Sequence, residues 1–238
     1  MEKGQMLYEG KAKRLYSTNE EGILWLEYKD SATAFNGEKK ATIEGKGQLN
    51  NLITSLLFER LKEEGIDSHF IEKLSDHEQL VRHVEIIPIE VVVRNTAAGT
   101  LAKRIGLKEG LRLKHTIVEW YYKDDDLGDP LINEDHISLL GLAEPEELTL
   151  LKEKALEINR VLTQFFQQIE VDLIDFKLEF GRDKDGSILL ADEISPDTCR
   201  LWDSKTKQKL DKDVFRRDLG SLTDAYQTVF TRLGGVSS

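Results

Sequence analysis

The chain has 238 residues and a formal net charge of −11, from 33 Lys and Arg against 44 Asp and Glu. Charged residues make up 32% and hydrophobic residues 39%, which fits a globular protein and excludes a disordered one. The acidic excess argues against a general nucleic-acid binder, whose affinity comes from cations that neutralise phosphates, but it leaves room for a local basic pocket. A chain of this length buries roughly 70–75% of the surface it exposes when unfolded, so it needs no disulfide or metal staple. Cys199 is the only cysteine, so no intrachain disulfide forms, and a cytoplasmic setting is expected. No apolar run approaches the roughly 20 residues that cross a bilayer, and the first residues lack the apolar core of a signal peptide. No membrane and no nucleic-acid partner is therefore expected. The histidines at 69, 77, 83, 115 and 136 contain no i, i+4 pair, so no zinc site is expected.

The first third reads as short strands. Residues 6–8, 13–16 and 23–28 are brief apolar or alternating runs, divided by Glu9-Gly10-Lys11 and by Asn19-Glu20-Glu21-Gly22. That pattern suggests an antiparallel meander. Residues 50–64 carry apolar side chains at 52, 53, 56, 57, 58 and 61, one face of a helix that Gly65 would stop. Residues 70–74 read as a further strand. Residues 84–95 form the strongest strand. Its even positions are Ile86, Pro88, Glu90, Val92 and Arg94, and its odd positions are Ile87, Ile89, Val91, Val93 and Asn95. Both faces are largely apolar, so burial on both sides is expected. Pro88 cannot donate to a ladder, so it marks a bulge, an edge or a crossover between lobes.

Residues 99–108 read as a short helix, and 119–123 as the end of a strand. Asp129-Pro130 is a turn, and Asn133 is placed to cap a helix over 134–140. Residues 145–169 form a long helix with Pro145 in its first turn. A hairpin follows, with strands at 171–180 and 187–194 around a loop at 181–186. Residues 213–233 are expected to be helical, with Gly220 as a point of interruption. The class is α+β, a β-rich N-terminal lobe over residues 1–82 and a larger mixed α+β lobe over 83–238.

Four segments carry candidate chemistry. Tyr8-Glu9-Gly10-Lys11-Ala12-Lys13-Arg14 is a glycine turn with alternating lysines, able to hold phosphates through backbone N–H groups and ammonium charge. Taken alone it reads equally as an ordinary turn with solvated lysines, and it is neither a P-loop nor a dinucleotide fingerprint. In the hairpin, Asp175, Lys177 and Glu179 share one face and Phe176, Leu178 and Phe180 the other. The return strand leads to Asp192-Glu193. A hairpin can bring Glu179 near Asp192, and two carboxylates beside a polyphosphate suit Mg²⁺. A polar solvent face explains the same pattern. Ser195-Pro196-Asp197-Thr198-Cys199-Arg200 reads as a loop at a strand end, where Arg200 can fork onto an anion. Cys199 has no adjacent base and reads as an inert small residue. Lastly, Arg94 ends a strand just before a helix N-terminus, an anion-binding arrangement. Pairing of Arg94 with Glu90 on the same face is the structural alternative.

In combination and in this order, the motifs are more specific. They are YEGKAKR at 8–14, SATAFNG at 31–37, KGQLNN at 46–51, PIEVVVRNTAAGT at 88–100, DPLIN at 129–133, DFKLEFG at 175–181 and DEISPDTCRLWD at 192–203. The sequence resembles the phosphoribosylaminoimidazole-succinocarboxamide synthase (SAICAR synthetase) family over residues 8–233. Thr100 stands where the family commonly carries Ser, and Thr198-Cys199 where Gly-Ser or similar occurs. The resemblance implies a SAICAR synthase-like fold with ATP in the interlobe cleft. It implies an ATP-dependent ligase that joins carboxyaminoimidazole ribonucleotide to L-aspartate through an acyl phosphate, releasing ADP and phosphate. By resemblance, Lys11, Ala12 and Lys13 would hold the ATP phosphates, and the backbone around Ile86 and Pro88 would meet adenine. Glu179 and Asp192 would carry Mg²⁺. Arg94, Thr100, Arg200 and Arg216 would hold the ribonucleotide, and Asp175, Lys177 and Asp197 would line the reacting end. A homodimer is expected, as is common for enzymes of this size. A kinase-like phosphotransferase is the alternative. Against it, the chain has no H-R-D loop and no D-F-G, and Asp192 is followed by Glu193-Ile194.

Overall fold

The computed structural model describes residues 1–34 and 37–235. Phe35 and Asn36 of the SATAFNG segment lie outside the described residues. In chain order the elements are β1 (Lys3–Glu9), β2 (Lys13–Thr18), β3 (Ile23–Tyr28), β4 (Ser31–Ala34), β5 (Lys39–Thr42), α1 (Lys46–Glu63), β6 (Phe70–Lys73), β7 (Glu78–Arg82), β8 (Glu85–Thr96), α2 (Gly99–Ile105), β9 (Arg112–Tyr122) and β10 (Leu131–Ile132). Then follow α3 (Glu134–Leu140), α4 (Pro145–Gln168), β11 (Val171–Arg182), β12 (Ile188–Ala191), β13 (Cys199–Asp203), α5 (Asp213–Arg216) and α6 (Leu222–Arg232).

The meander is present. β1, β2 and β3 run antiparallel in sequence, and β7 and β6 complete a five-stranded sheet. A second sheet has the order β10-β9-β8-β11-β12, with β13 also paired to β11. β11 organises it. β8 runs along one edge, while the other edge meets β13 over its first half and β12 over its second.

Alternation decides where the core lies. Ile87, Ile89, Val91 and Val93 of β8 and Phe176, Leu178 and Phe180 of β11 point to one side. There they pack against α4, through Leu151, Ala155, Ile158 and Leu162, and against α1, through Ile53, Leu57 and Phe58. Burial of each such side chain contributes about 1.5–3 kcal/mol. Asn95, on the same face, is satisfied by a reciprocal amide pair with Asn159 of α4, at 2.7 and 3.1 Å. The five-stranded sheet carries only a small cluster of its own, Leu26, Tyr28 and Val81 with Leu15 and Leu24.

The structure differs from the sequence reading in several places. β8 is buried along its odd face from Ile87 on, whereas on its even face only Arg94 and Thr96 are buried. Its even face, with Ile86, Glu90, Val92 and Arg94, lines a cleft between the two sheets. Pro88 sits at a bulge. Glu90 pairs with Glu179 but Ile86 pairs with Gly181, so β8 carries two extra residues there. Residues 199–203, read as loop, form β13. The α1 helix starts at Lys46, not at 50, and Lys46 is itself buried. Residues 213–233 split into two helices around Gly220, whose φ is +142°, and Ser221 caps the second by accepting from the Asp224 N–H at 3.2 Å. The caps of α3 agree with expectation: Asn133 accepts from the His136 N–H at 3.0 Å.

Gly181 allows β8 and β11 to close at this bulge. A Cβ there would lie 2.5 Å from Val84 Cγ2 and 3.1 Å from the Glu85 carbonyl oxygen. Gly181→Ala is therefore expected to destabilise the protein by about 1–3 kcal/mol, read as a lower midpoint in urea with an unchanged slope.

Candidate active site

The cleft has a volume of about 760 Å³. Its floor is the even face of β8 and the odd face of β11, and its roof is the meander. In register, Arg94 faces Asp175, Val92 faces Lys177 and Glu90 faces Glu179. Two like charges thus stand opposite each other, which is unfavourable on its own. Lys177 resolves it by donating to Glu90 at 2.9 Å and to Glu179 at 2.6 Å. Lys123, at the end of β9, also reaches Glu179, at 3.0 Å. Burial raises the Glu90 carboxyl above its usual range. Burial opposes the charge of Lys177, but Glu179, Asp192 and Glu90 outweigh it and hold the ammonium well above its usual range.

The lysine turn forms the upper wall. The Gly10 N–H donates to the Lys13 carbonyl at 2.9 Å, closing the turn. Lys13 crosses the cleft to Asp192 at 2.5 Å and Glu193 at 2.8 Å. Burial opposes its charge, yet these carboxylates hold it well above the usual lysine range. Lys11 and Ala12 both line the cleft, and Lys11 pairs with Asp125 at its rim at 2.6 Å, the Lys11 and Asp125 side chains being more than half exposed. Behind the turn, Leu15, Leu24, Leu26, Val81 and Ile86 form an apolar wall. Pro88 is not part of that lining. Its carbonyl accepts from the Lys123 N–H at 3.0 Å.

Glu179 pairs with Ala191, which places Asp192 one residue past the hairpin pairing. Asp192 has left-handed backbone, φ +57°. Burial would raise its carboxyl, but Lys13 and Lys177 dominate and hold it well below the carboxylate range. Among the described residues, no three His, Cys, Asp or Glu side chains gather as a metal cage. Two oxygen donors at a phosphate-sized cleft nonetheless fit Mg²⁺, which takes one or two protein carboxylates and completes its shell with phosphate oxygens and water. His69 lies beside them, its ring Nε2 3.2 Å from the Asp192 carbonyl oxygen. Burial, with Lys13 nearby, lowers His69 to about 4, so the ring is neutral at pH 7.

The other end of the cleft is built around Asp175. Arg94 donates to it at 2.7 Å and Arg200 at 3.0 Å. Arg94 also donates to Glu119 at 2.6 Å, to the Tyr121 hydroxyl at 3.1 Å and to Thr100 at 3.3 Å. Arg104 pairs with Glu119 from outside. Glu90 is thus not the partner of Arg94. The side chains that hold Arg94 come from neighbouring strands, which one strand's sequence cannot reveal. Arg200 and Arg216 share Asp213, at 3.0 and 2.7 Å. Gly99, with φ +51°, leaves room for Arg200, whose Nη2 would lie 2.5 Å from a Cβ there. Asp197 sits apart, held by Lys46 at 2.6 Å, Lys212 at 3.5 Å and the Tyr226 hydroxyl at 2.5 Å. Cys199 is buried and its thiol is pushed far up by that burial, so it has no nucleophilic character.

Sequence reading missed His69, Lys123, Glu119, Tyr121 and the buried Lys46. The last lies inside the KGQLNN segment. Glu119 and Tyr121 carried a period-2 signal, since both face Arg94 from β9.

Residues 6–233 match the model of the SAICAR synthetase family. The phosphoribosylaminoimidazole-succinocarboxamide synthase of Anoxybacillus flavithermus is 66% identical over 237 residues, covering 100% of this chain and 99% of that protein. The crystal structure of the enzyme of that name from Ehrlichia chaffeensis superposes with a TM-score of 0.96 at 44% identity, covering 98% of this chain and 100% of the other. A SAICAR synthetase in complex with ADP superposes with a TM-score of 0.94 at 47% identity, covering 98% and 99%. The chain belongs to the SAICAR synthetase family and has its α+β fold.

Arg94→Lys keeps the charge but cannot span Glu119, Asp175, Thr100 and Tyr121 together. It is expected to cost roughly 3 kcal/mol of stability, because two buried carboxylates lose their fork. Glu90→Gln removes one of two facing carboxylates and is expected to stay within about 1 kcal/mol. Chemical denaturation of both variants checks this, and equal losses would restore Glu90 as the partner of Arg94.

Proposed function

We propose that this chain, as a member of that ligase family, joins the carboxylate of carboxyaminoimidazole ribonucleotide to the amine of L-aspartate while ATP becomes ADP and phosphate. The observation that carries the reading is one continuous cleft. It has an apolar wall and a lysine turn at one end, an arginine corner at the other, and Lys177 between carboxylates at the middle. This order matches a purine base, a phosphate chain, a reacting centre and an anionic second substrate.

The chemistry needs activation, because a carboxylate is a poor electrophile. A carboxylate oxygen of the ribonucleotide attacks the γ-phosphorus, ADP leaves, and an acyl phosphate forms. The aspartate amine then attacks the acyl carbon. Phosphate leaves with the attacking oxygen of the carboxylate, and the amine gives up a proton. Ile86 and the leucine wall would take adenine, while Lys13, Ala12 and the turn N–H groups would take phosphates, with Lys11 at the rim. Lys177 would meet the charge that develops on the transferred group, where one such preorganised donor contributes about 2.7–4 kcal/mol. Arg94 would turn its edge to the ribonucleotide while Asp175 orients it. Thr100, Arg200 and Arg216 would take the rest of that anion. Asp197, with Lys46 and Lys212, would line the far side of the reacting end. Glu179 and Asp192 would hold Mg²⁺, which would supply positive charge against the phosphates. We place the enzyme in the cytoplasm as a homodimer of two-lobed subunits divided near residue 82.

Heavy oxygen in the ribonucleotide carboxylate tests the route. One labelled oxygen per released phosphate, with turnover that requires aspartate, is the expected result by mass spectrometry. Unlabelled phosphate would mean plain ATP hydrolysis, and label in AMP would mean adenylation.

Glu179→Gln and Asp192→Asn test the metal assignment. Each is expected to lower kcat by about 100-fold or more and to raise the Mg²⁺ concentration for half-activation. Unchanged Mg²⁺ dependence in both would remove the pair from the metal site.

A further inference from the structure

The left-handed backbone at Asp192 has no glycine to excuse it. A non-glycine residue holds such a conformation only where its surroundings fix it. Three contacts from Ser68 and His69 tie down the strand end that leads to Asp192. The His69 N–H donates to the Leu190 carbonyl at 2.7 Å. Ser68 and Leu190 form an isolated parallel bridge. The His69 ring then reaches two residues further along the same strand end, to the Asp192 carbonyl oxygen at 3.2 Å. A carbonyl only accepts, so the ring nitrogen facing it must carry the proton.

The ring itself is fixed. It is buried and stands edge-on to Phe58 of α1, with centroids 5.8 Å apart and planes at 85°. The His69 carbonyl accepts from the Arg82 N–H at 2.6 Å, which ties it to β7 of the meander sheet. One residue therefore links the roof of the cleft to the strand that delivers Asp192. The carboxylate of Asp192 is in turn held by Lys13 of β2. Asp192 is gripped by its main chain through His69 and by its side chain through Lys13.

We propose that His69 is a positioning residue whose Nε2–H holds the Asp192 peptide in its left-handed conformation and so aims the carboxylate into the cleft. The inference rests on the assignment of Asp192 to the nucleotide's metal ion. His69 does not touch the reacting atoms. Its effect is felt where the metal joins nucleotide to protein, and not in the arginine corner.

The test measures ADP affinity by calorimetry with Mg²⁺ and with a chelator, in the full-length protein. The ratio of the two affinities reports how well the carboxylates are aimed. His69→Leu removes the donor, and the Mg²⁺-dependent gain is expected to fall about 10-fold while chelator-bound ADP affinity stays within about twofold. His69→Gln places an amide N–H near the position of Nε2 and is expected to recover the gain to within about threefold. His69→Asn is a second donor-bearing variant that is too short, and it is expected to behave like His69→Leu. A full gain in either Leu or Asn overturns the inference, as does equal loss in Gln and Leu, which would mean packing alone. Aspartate-dependent turnover of the wild-type protein is measured alongside. Its absence with the affinity pattern intact would overturn the ligase reading and leave His69 in place.

Discussion

The antiparallel pairing of β8 and β11 is the constraint on which the rest depends. Alternation with period two means that every residue of these strands faces either the helices or the cleft. The apolar set on the helix side fixes the register, since a slip of one residue would drive Asp175, Lys177 and Glu179 into the core beside α4. Stability and site are therefore set by the same choice. Packing of Phe176, Leu178 and Phe180 determines which charged groups stand together on the other face.

On that face charges are shared, not simply paired. Asp175 serves Arg94 and Arg200, and Asp213 serves Arg200 and Arg216. Lys177 serves Glu90 and Glu179. Buried charge is tolerated because the groups neutralise one another at hydrogen-bond distance, whereas removal of one partner strands the others. The side chains are consequently preorganised before a substrate arrives, which is where electrostatic catalysis gains its advantage.

Much of this was legible in the sequence. The hairpin alternation, the cap at Asn133 and the meander follow from local rules, and the motifs carried the family. What was not legible depends on neighbours. The even face of β8 looked buried because Ile86, Pro88 and Val92 are apolar, yet Ile86 and Val92 face a cleft that exists only because the meander folds over it. Glu90 looked like the partner of Arg94 because the two share a face, while β9 and β11 supply the actual carboxylates. The β7 strand was hidden by its charged ends, and β13 by the Pro196-Asp197 turn before it. The helix start at Lys46 was not read, because a fully buried lysine is rare and its partner, Asp197, is distant in sequence.

The cleft also constrains how ligands enter. Lys13 and Lys177 are held by Asp192, Glu193, Glu90 and Glu179. An anion that draws these lysines toward itself leaves the carboxylates uncompensated in a buried setting, and loss of one partner from a buried pair costs about 3–5 kcal/mol. A polyphosphate alone would pay that penalty in full. Under the proposed metal assignment, a polyphosphate that brings a divalent cation would not, because Glu179 and Asp192 would hold the cation and leave Lys13 and Lys177 free to meet phosphate oxygens. On that proposal, the pairing of these lysines with carboxylates would favour nucleotide and cation together. The same exchange would let a protein with a net charge of −11 bind a polyanion: the field in the cleft is set by its local groups, and distant surface carboxylates are screened within about 8–10 Å at physiological salt.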